Sequence, residues 1–280
     1  MAAIETKGED WKAMAGEYRK MSDNITTPVI DAMVSRANAL RPFSRATGIL
    51  DNGCGPGPVM SGLIDAYGSV LPEHCTLICA DFSEAMLAQV VGAREAAAAE
   101  SPWKRVQTVL QDAMDLDAVA DASCSHVTAG FVYLLTAAPQ KCLSESLRVL
   151  GTGGVLAVSS WQGSQWLDLM YVLRKVKADV EVPSLPEGWT STEGVEGELR
   201  TAGFRDVESG GVAVEMKFAT REALVEMLLT KMPHMLALTK GLSEEEMAGL
   251  KRAMLAQAKE YCADEPGKLK GVALVAVGRK

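Results

Sequence analysis

The chain has 280 residues, 48% of them apolar, and 28 lysines and arginines against 36 acidic residues give a formal charge of −8. That length can bury a full core, and an acidic chain with scattered Lys and Arg lacks the basic footprint of a nucleic-acid binder. Its longest apolar runs fall far short of the ~20 residues a bilayer span needs, so no membrane span is expected and a small-molecule partner is favoured.

The opening MAAIETKGEDWK has neither a basic start with an apolar stretch nor any arginine, so it reads as no signal or transit peptide and a cytoplasmic location is the default. Residues 8 to 40 carry apolar residues at helical spacing, broken at Thr26-Thr27-Pro28, which predicts two helices before the first strand. From residue 48 the pattern alternates. Strand GILDNG is followed by a helix over 57–68, strand 76–81 by a helix from Ser83 to about Ala99, and then come strands at 106–113 and 125–134. A helix from Pro139 to Leu150 leads into a strand at 154–161. Strands separated by helices of ten or more residues imply a doubly wound α/β fold with a mostly parallel sheet.

Beyond Trp161 the alternation loosens. A helix is predicted over 165–179, a proline-rich loop over 181–189, and a short helix ending at Ala202-Gly203. Segments 211–218 and 271–278 read as a strand pair around a long helical insert, 220–262. Within it Ser243 and Glu246 have capping-box spacing, and Met227, Met232, Met235, Met247 and Met254 fit core packing. The six cysteines form no CxxC pair, so structural zinc is not expected, and Cys75 and Cys79 read as small buried apolar side chains.

The segment GILDNGCGPGPVM is the richest in chemical information. In an open parallel sheet the ligand binds beyond the strands' carboxyl ends where strand order reverses, close to the loop after the first strand. Gly53, Gly55 and Gly57 there allow left-handed angles and bring peptide N–H groups toward an anion; a purely structural tight turn is the plain alternative. Neither a dinucleotide fingerprint nor a phosphate loop is satisfied, because Pro58 or Met60 occupies the small-residue position and no Gly-Lys-Ser/Thr ending follows. Asp51, two residues before the first glycine, would repel a pyrophosphate and suit a cationic or amine-bearing ligand.

ILDNGCGPG resembles the first motif of class I S-adenosylmethionine-dependent methyltransferases, of the ubiquinone/menaquinone-biosynthesis type that includes small fungal secondary-metabolite enzymes. ICADFSEAML, QDAMDL and SLRVLGTGGVLAVSSW resemble that family's later motifs in order, over residues 45 to 162. The resemblance implies a Rossmann-like sheet of seven strands, the last antiparallel, and S-adenosylmethionine as cofactor. It places Asp81 on the ribose hydroxyls, with Asp112, Ala113 and Met114 at the adenine and Cys54 in the glycine loop. Phe82 and Met86 flank adenine or pack the core, Asp81 could serve instead as a helix N-terminal charge, and Asp112 as an ordinary loop residue. Phe131 is a candidate at the cofactor or the substrate wall, beside Tyr18, Tyr133, Trp161 and Trp166. His234 is the one histidine a folded-over lid could bring in, whereas His74 reads as surface and His126 as structural.

The chain then divides into an N-terminal helical lid (1–44), a cofactor-binding core (45–162) and a C-terminal part (163–280) whose insert 220–262 closes over the substrate. Methyl transfer to a small molecule is expected, thiol or hydroxyl ahead of carbon or nitrogen, with no metal and no designated base. A module that binds the cofactor without turnover is the alternative from another class; acceptor and oligomeric state stay open.

Overall fold

A computed structural model describes residues 15–280 apart from 178, 179, 181 and 183; the side chains of 15–24, 233 and 234 lie outside it, and with them those of Tyr18 and His234. The first helix, α1 (Ala15–Leu40), departs from expectation by running unbroken through Pro28. An interior proline costs about 3 kcal/mol. Against that, Ile25, Val29, Ile30, Met33, Val34 and Ala37 are all buried, and each larger side chain gains about 1.5–3 kcal/mol on burial, so packing wins.

The alternation then appears as predicted: β1 (Gly48–Asn52), α2 (Pro58–Tyr67), β2 (Thr76–Asp81), α3 (Glu84–Ala96), β3 (Val106–Leu110), β4 (Cys124–Gly130), α4 (Pro139–Val149) and β5 (Leu150–Ser164). After β5 come α5 (Gln165–Tyr171), α6 (Leu173–Val176), α7 (Thr192–Thr201) and β6 (Arg205–Phe218). The helical insert resolves into α8 (Arg221–Lys231), α9 (Pro233–Thr239) and α10 (Glu244–Tyr261) before β7 (Gly267–Arg279). One seven-stranded sheet has the order β3-β2-β1-β4-β5-β7-β6. Strands β1 to β5 pair in parallel, and β7 is antiparallel to both β5 and β6. The expected antiparallel last strand is therefore present.

Burial alternates along the strands in the way two helix layers require. Ile49, Leu77, Val155, Ala157, Val275 and Val277 enter one core; Leu50, Ala80, Leu156, Val158, Leu274 and Ala276 enter the other. Because successive side chains leave opposite faces of a strand, the run of fully buried residues in β1 needs cover on both sides.

Some boundaries moved for identifiable reasons. The strand expected over 125–134 stops at Gly130, because Phe131 turns to φ +57 and Tyr133–Leu135 form a 3-10 turn. The strand expected to reach 113 stops at Leu110; beyond it the Asp112 carboxylate accepts the Met114 N–H at 2.8 Å and holds a turn. The helix expected over 165–179 is two short pieces, and the turn at Val172 lets Trp166, Leu169, Met170 and Leu173 all be buried. Helix α10 carries the anticipated reciprocal cap, with Ser243 N–H on Glu246 Oε2 at 2.8 Å and Glu246 N–H on Ser243 Oγ at 3.2 Å. The insert packs on β6, α5 and α6. Met235 and Met254 are fully buried there, as core packing requires.

Candidate active site

Strand order reverses between β1 and β4, and a cavity of about 470 Å³ opens there at the strands' carboxyl ends. The turn after β1 is its floor. Gly53, Gly55 and Gly57 have φ of +70, +53 and +88, the left-handed region where a Cβ costs about 1–2 kcal/mol. The Gly53 and Cys54 amides both donate to the Ala80 carbonyl, at 2.8 and 2.9 Å, which lashes the turn to the end of β2. A Cβ on Gly53 would lie 2.6 Å from the Val132 methyls, whereas one on Gly55 meets nothing within 4 Å. Gly53 is needed by the protein's own packing. Gly55 leaves room for something else.

Asp81 ends β2 and faces the turn. Its Oδ2 accepts the Gly55 N–H at 2.8 Å and its Oδ1 the Ser83 N–H at 2.9 Å. Burial pushes its carboxyl above the usual range, opposed by the amides of Gly55, Ser83 and Phe82. Asp51 lies one layer behind, 1% exposed and outside the lining. Thr128 Oγ1 donates to its Oδ1 at 2.7 Å, and its Oδ2 has no hydrogen-bond partner. Burial raises Asp51 to about 7 and the charge of Asp81 adds to the rise, while the Thr128 hydroxyl and the backbone amide of Met60 pull the other way. A buried carboxylate oxygen without a partner beside a second carboxylate is a site short of positive charge.

Gly53, Cys54, Gly55, Asp81, Phe82, Met86, Asp112, Ala113, Met114 and Phe131 all line this cavity, so the motifs of the first three strands converge. The Cys54 thiol, hydrogen-bonded to Cys79 and buried, is pushed up. Asp112 is exposed at the rim. Gly57 lies just outside, as the N-cap of α2.

Tyr133 is displaced from its expected role. It is 1% exposed in the core, its hydroxyl held by Asn52 Nδ2 at 3.1 Å and Ser146 Oγ at 2.6 Å, and it reaches no cavity surface. Trp161 and Trp166 also stay out of the lining, Trp161 stacking behind Phe131 with ring centroids 4.5 Å apart. His126 is structural as expected: its ring bonds Ser125 Oγ and the Arg41 carbonyl, and burial lowers it to about 4. No described residue of 220–262 lines the cavity.

Wall residues not singled out in the sequence are Thr26, Ile30 and Met33 on α1, Leu135, Thr136 and Ala137 after β4, and Gln111 and Ser159, which lie within the quoted motifs without an assigned role. Gln111, next to Asp112, is held by Asp117 Oδ1 at 2.6 Å; its place one residue before the motif Asp was the available signal. Among the described residues, no cluster of His, Cys, Asp and Glu could hold a metal ion, and no helix is long and apolar enough to cross a membrane.

The geometry defines a nucleoside-sized cleft with strand-end carboxylates and a backbone-lined turn, and comparison with known proteins agrees. A family model described as a methyltransferase domain matches residues 49–154. The chain belongs to the S-adenosylmethionine-dependent methyltransferases. It is 38% identical over 275 residues to methyltransferase ucsB of Acremonium sp, covering 97% of this chain and 95% of that one. It is 27% identical over 264 residues to an acetylaranotin bis-thiomethyltransferase of Aspergillus terreus, covering 91% and 88%. Among solved structures, a phosphoethanolamine N-methyltransferase 2 of Haemonchus contortus, in complex with phosphomonomethylethanolamine and S-adenosylhomocysteine, superposes with a TM-score of 0.53. The 16% identity there, over 96% of this chain and 57% of that one, is a likeness of fold.

The residues present fit S-adenosylmethionine. The open space at Gly55 admits close approach, Asp81 keeps lone pairs for hydroxyls, and the Asp51 oxygen without a partner matches a nearby ammonium. Gly55→Ala is a sharp check. The fold should lose about 1–2 kcal/mol from a left-handed alanine, while cofactor affinity measured by calorimetry should fall at least roughly tenfold, about 1.4 kcal/mol; intact affinity would show that the ligand keeps clear of this turn.

Proposed function

We propose that the chain methylates a small, uncharged, largely apolar acceptor at sulfur or oxygen. The supporting observation is the composition of the wall. Among the described lining residues there is no Lys, Arg or His, and the two carboxylates, Asp81 and Asp112, both stand at cofactor-motif positions. The rest is mostly apolar, Ile30, Met33, Pro56, Val59, Phe131, Val132 and Leu135 among them, with Thr26, Gln111, Thr136 and Ser159 as neutral polar groups. A phosphate or carboxylate on the acceptor would find no counter-charge. The thiomethyltransferase relative adds weight to sulfur.

In this reading Asp81 holds the ribose hydroxyls, Asp112 and the backbone of Ala113 and Met114 the adenine edge, and Phe82 and Met86 its faces. The Gly53–Gly57 turn receives the amino-acid end, with Asp51 acting on its ammonium from behind the lining. When bound, the sulfonium supplies an activated methyl whose C–S bond breaks toward sulfur as the acceptor's lone pair forms the new bond. The protein's task is alignment and the exclusion of water, and alignment alone can supply about 7–11 kcal/mol of the barrier. Met33, Phe131 and Leu135 supply an apolar enclosure. A group that takes the acceptor's proton is missing among the described lining residues, and a thiol near pKa ~8.5 loses it to water unaided.

Labelled cofactor offered with a panel of aliphatic and aryl thiols, phenols and primary amines tests this. Label should pass to thiols first and phenols second. Transfer to amines alone would overturn the acceptor assignment, and tight cofactor binding with transfer to no member would revive the binding module.

A further inference from the structure

Phe131 stands out from the rest of the wall. It follows the last residue of β4 in a left-handed conformation, φ +57, that a bulky side chain rarely adopts. Such a conformation persists only where the surroundings enforce it. Two contacts do so. Its N–H donates to Ser159 Oγ on β5 at 3.0 Å, and its ring lies on Trp161 at 4.5 Å with an interplanar angle of 15°. Trp161 is backed in turn by the edge of Trp166, 5.3 Å away at 87°. Trp166 is itself wedged against β7, where a Cβ on Gly271 would come within 2.5 Å of its ring.

Phe131 lines the cavity and the two tryptophans do not. It is therefore the cavity-side layer of a stacked ring pair, braced from behind by the edge of Trp166 and the sheet. A phenylalanine serving only as core filler needs neither the strained backbone nor partial exposure. A ring immobilised in advance offers a flat surface whose ordering cost is already met by the fold, and offset stacking favours a planar partner beyond simple burial. The apolar neighbours Val132 and Leu135 extend the surface without charge.

We propose that Phe131 is the specificity platform of the acceptor site, and that the acceptor is a planar, uncharged aromatic or conjugated ring carrying the nucleophilic thiol or hydroxyl. This rests on the methyl-transfer reading above. Naphthalenethiol and cyclohexanethiol, offered with labelled S-adenosylmethionine, serve as planar and non-planar probes. Because intrinsic reactivity cancels when variants are compared, the readout is the ratio of their kcat/KM values. In Phe131→Leu that ratio should fall roughly 2- to 13-fold, through KM for the planar probe, with cofactor Kd unchanged. Trp161→Leu leaves the strained position untouched and should move the ratio in the same direction. An unchanged ratio in both variants, or a loss confined to cofactor Kd, overturns the platform while methyl transfer stands. Wild-type protein that methylates neither probe nor the corresponding naphthol overturns the underlying reading as well.

Discussion

Replacing Asp51 by asparagine should shift stability in the variant's favour by about 4 kcal/mol as pH rises from ~4 to ~8 in the absence of cofactor. The folded pKa of Asp51, about 7, lies above the unfolded value of 3.8. Between those limits the native protein holds a proton that the unfolded chain has released. The contribution of Asp51 to wild-type stability therefore declines as pH rises from about 4 to about 7 and levels off above. In Asp51→Asn the side-chain amide oxygen still accepts from the Thr128 hydroxyl, and nothing at that position titrates. Urea midpoints for both proteins across this range decide the matter, and parallel curves would remove Asp51 as the source. The same linkage reaches the ligand. An ammonium near the oxygen without a partner favours the anion, so cofactor affinity should climb as pH rises toward about 7 in the wild type and stay flat over that range in the variant.

Asp81→Ala should weaken the cofactor by about 1.5–3 kcal/mol, the range for hydrogen bonds to a charged group, or roughly 12- to 150-fold in Kd. Part of that loss arises before any ligand arrives, since the Gly55 and Ser83 amides lose their acceptor and the turn keeps only its bonds to the Ala80 carbonyl. Asp81→Asn separates the two effects. It retains one acceptor oxygen and should restore turn geometry better than affinity. Calorimetry on folded Asp81→Ala showing wild-type affinity would remove the carboxylate from the ribose.

Much of the core was legible because it depends on local rules. Strand-helix alternation, the left-handed glycines and the capping box at Ser243 each follow from residues within a few positions of one another. The same holds for Asp81 at the end of β2, which topology alone carries to the crevice, with Asp51 of β1 buried behind it. What escaped depends on distant partners. Pro28 looks like a helix break until the burial of Ile25 to Ala37 is counted. The end of β4 is set by a serine 28 residues away that holds the Phe131 amide. Tyr133 looked like a wall residue from its place after β4. The 3-10 turn faces it inward to Asn52 and Ser146, and its burial lifts the phenol out of the ordinary range. Thr26, Ile30 and Met33 belong to the site only because α1 folds across the sheet, which no motif announces.

The mouth of the cavity is built unlike its floor. Leu135 and Ala137 are exposed on a short turn, and changes at such positions typically alter stability by no more than about 0.5 kcal/mol. The floor tolerates no such freedom, because Gly53 is locked against Val132 and Asp81 against two amides. Descendants of this chain can therefore drift at the rim while inheriting the floor intact, and a combinatorial library confined to Leu135, Thr136 and Ala137 would explore that diversity with few unfolded members.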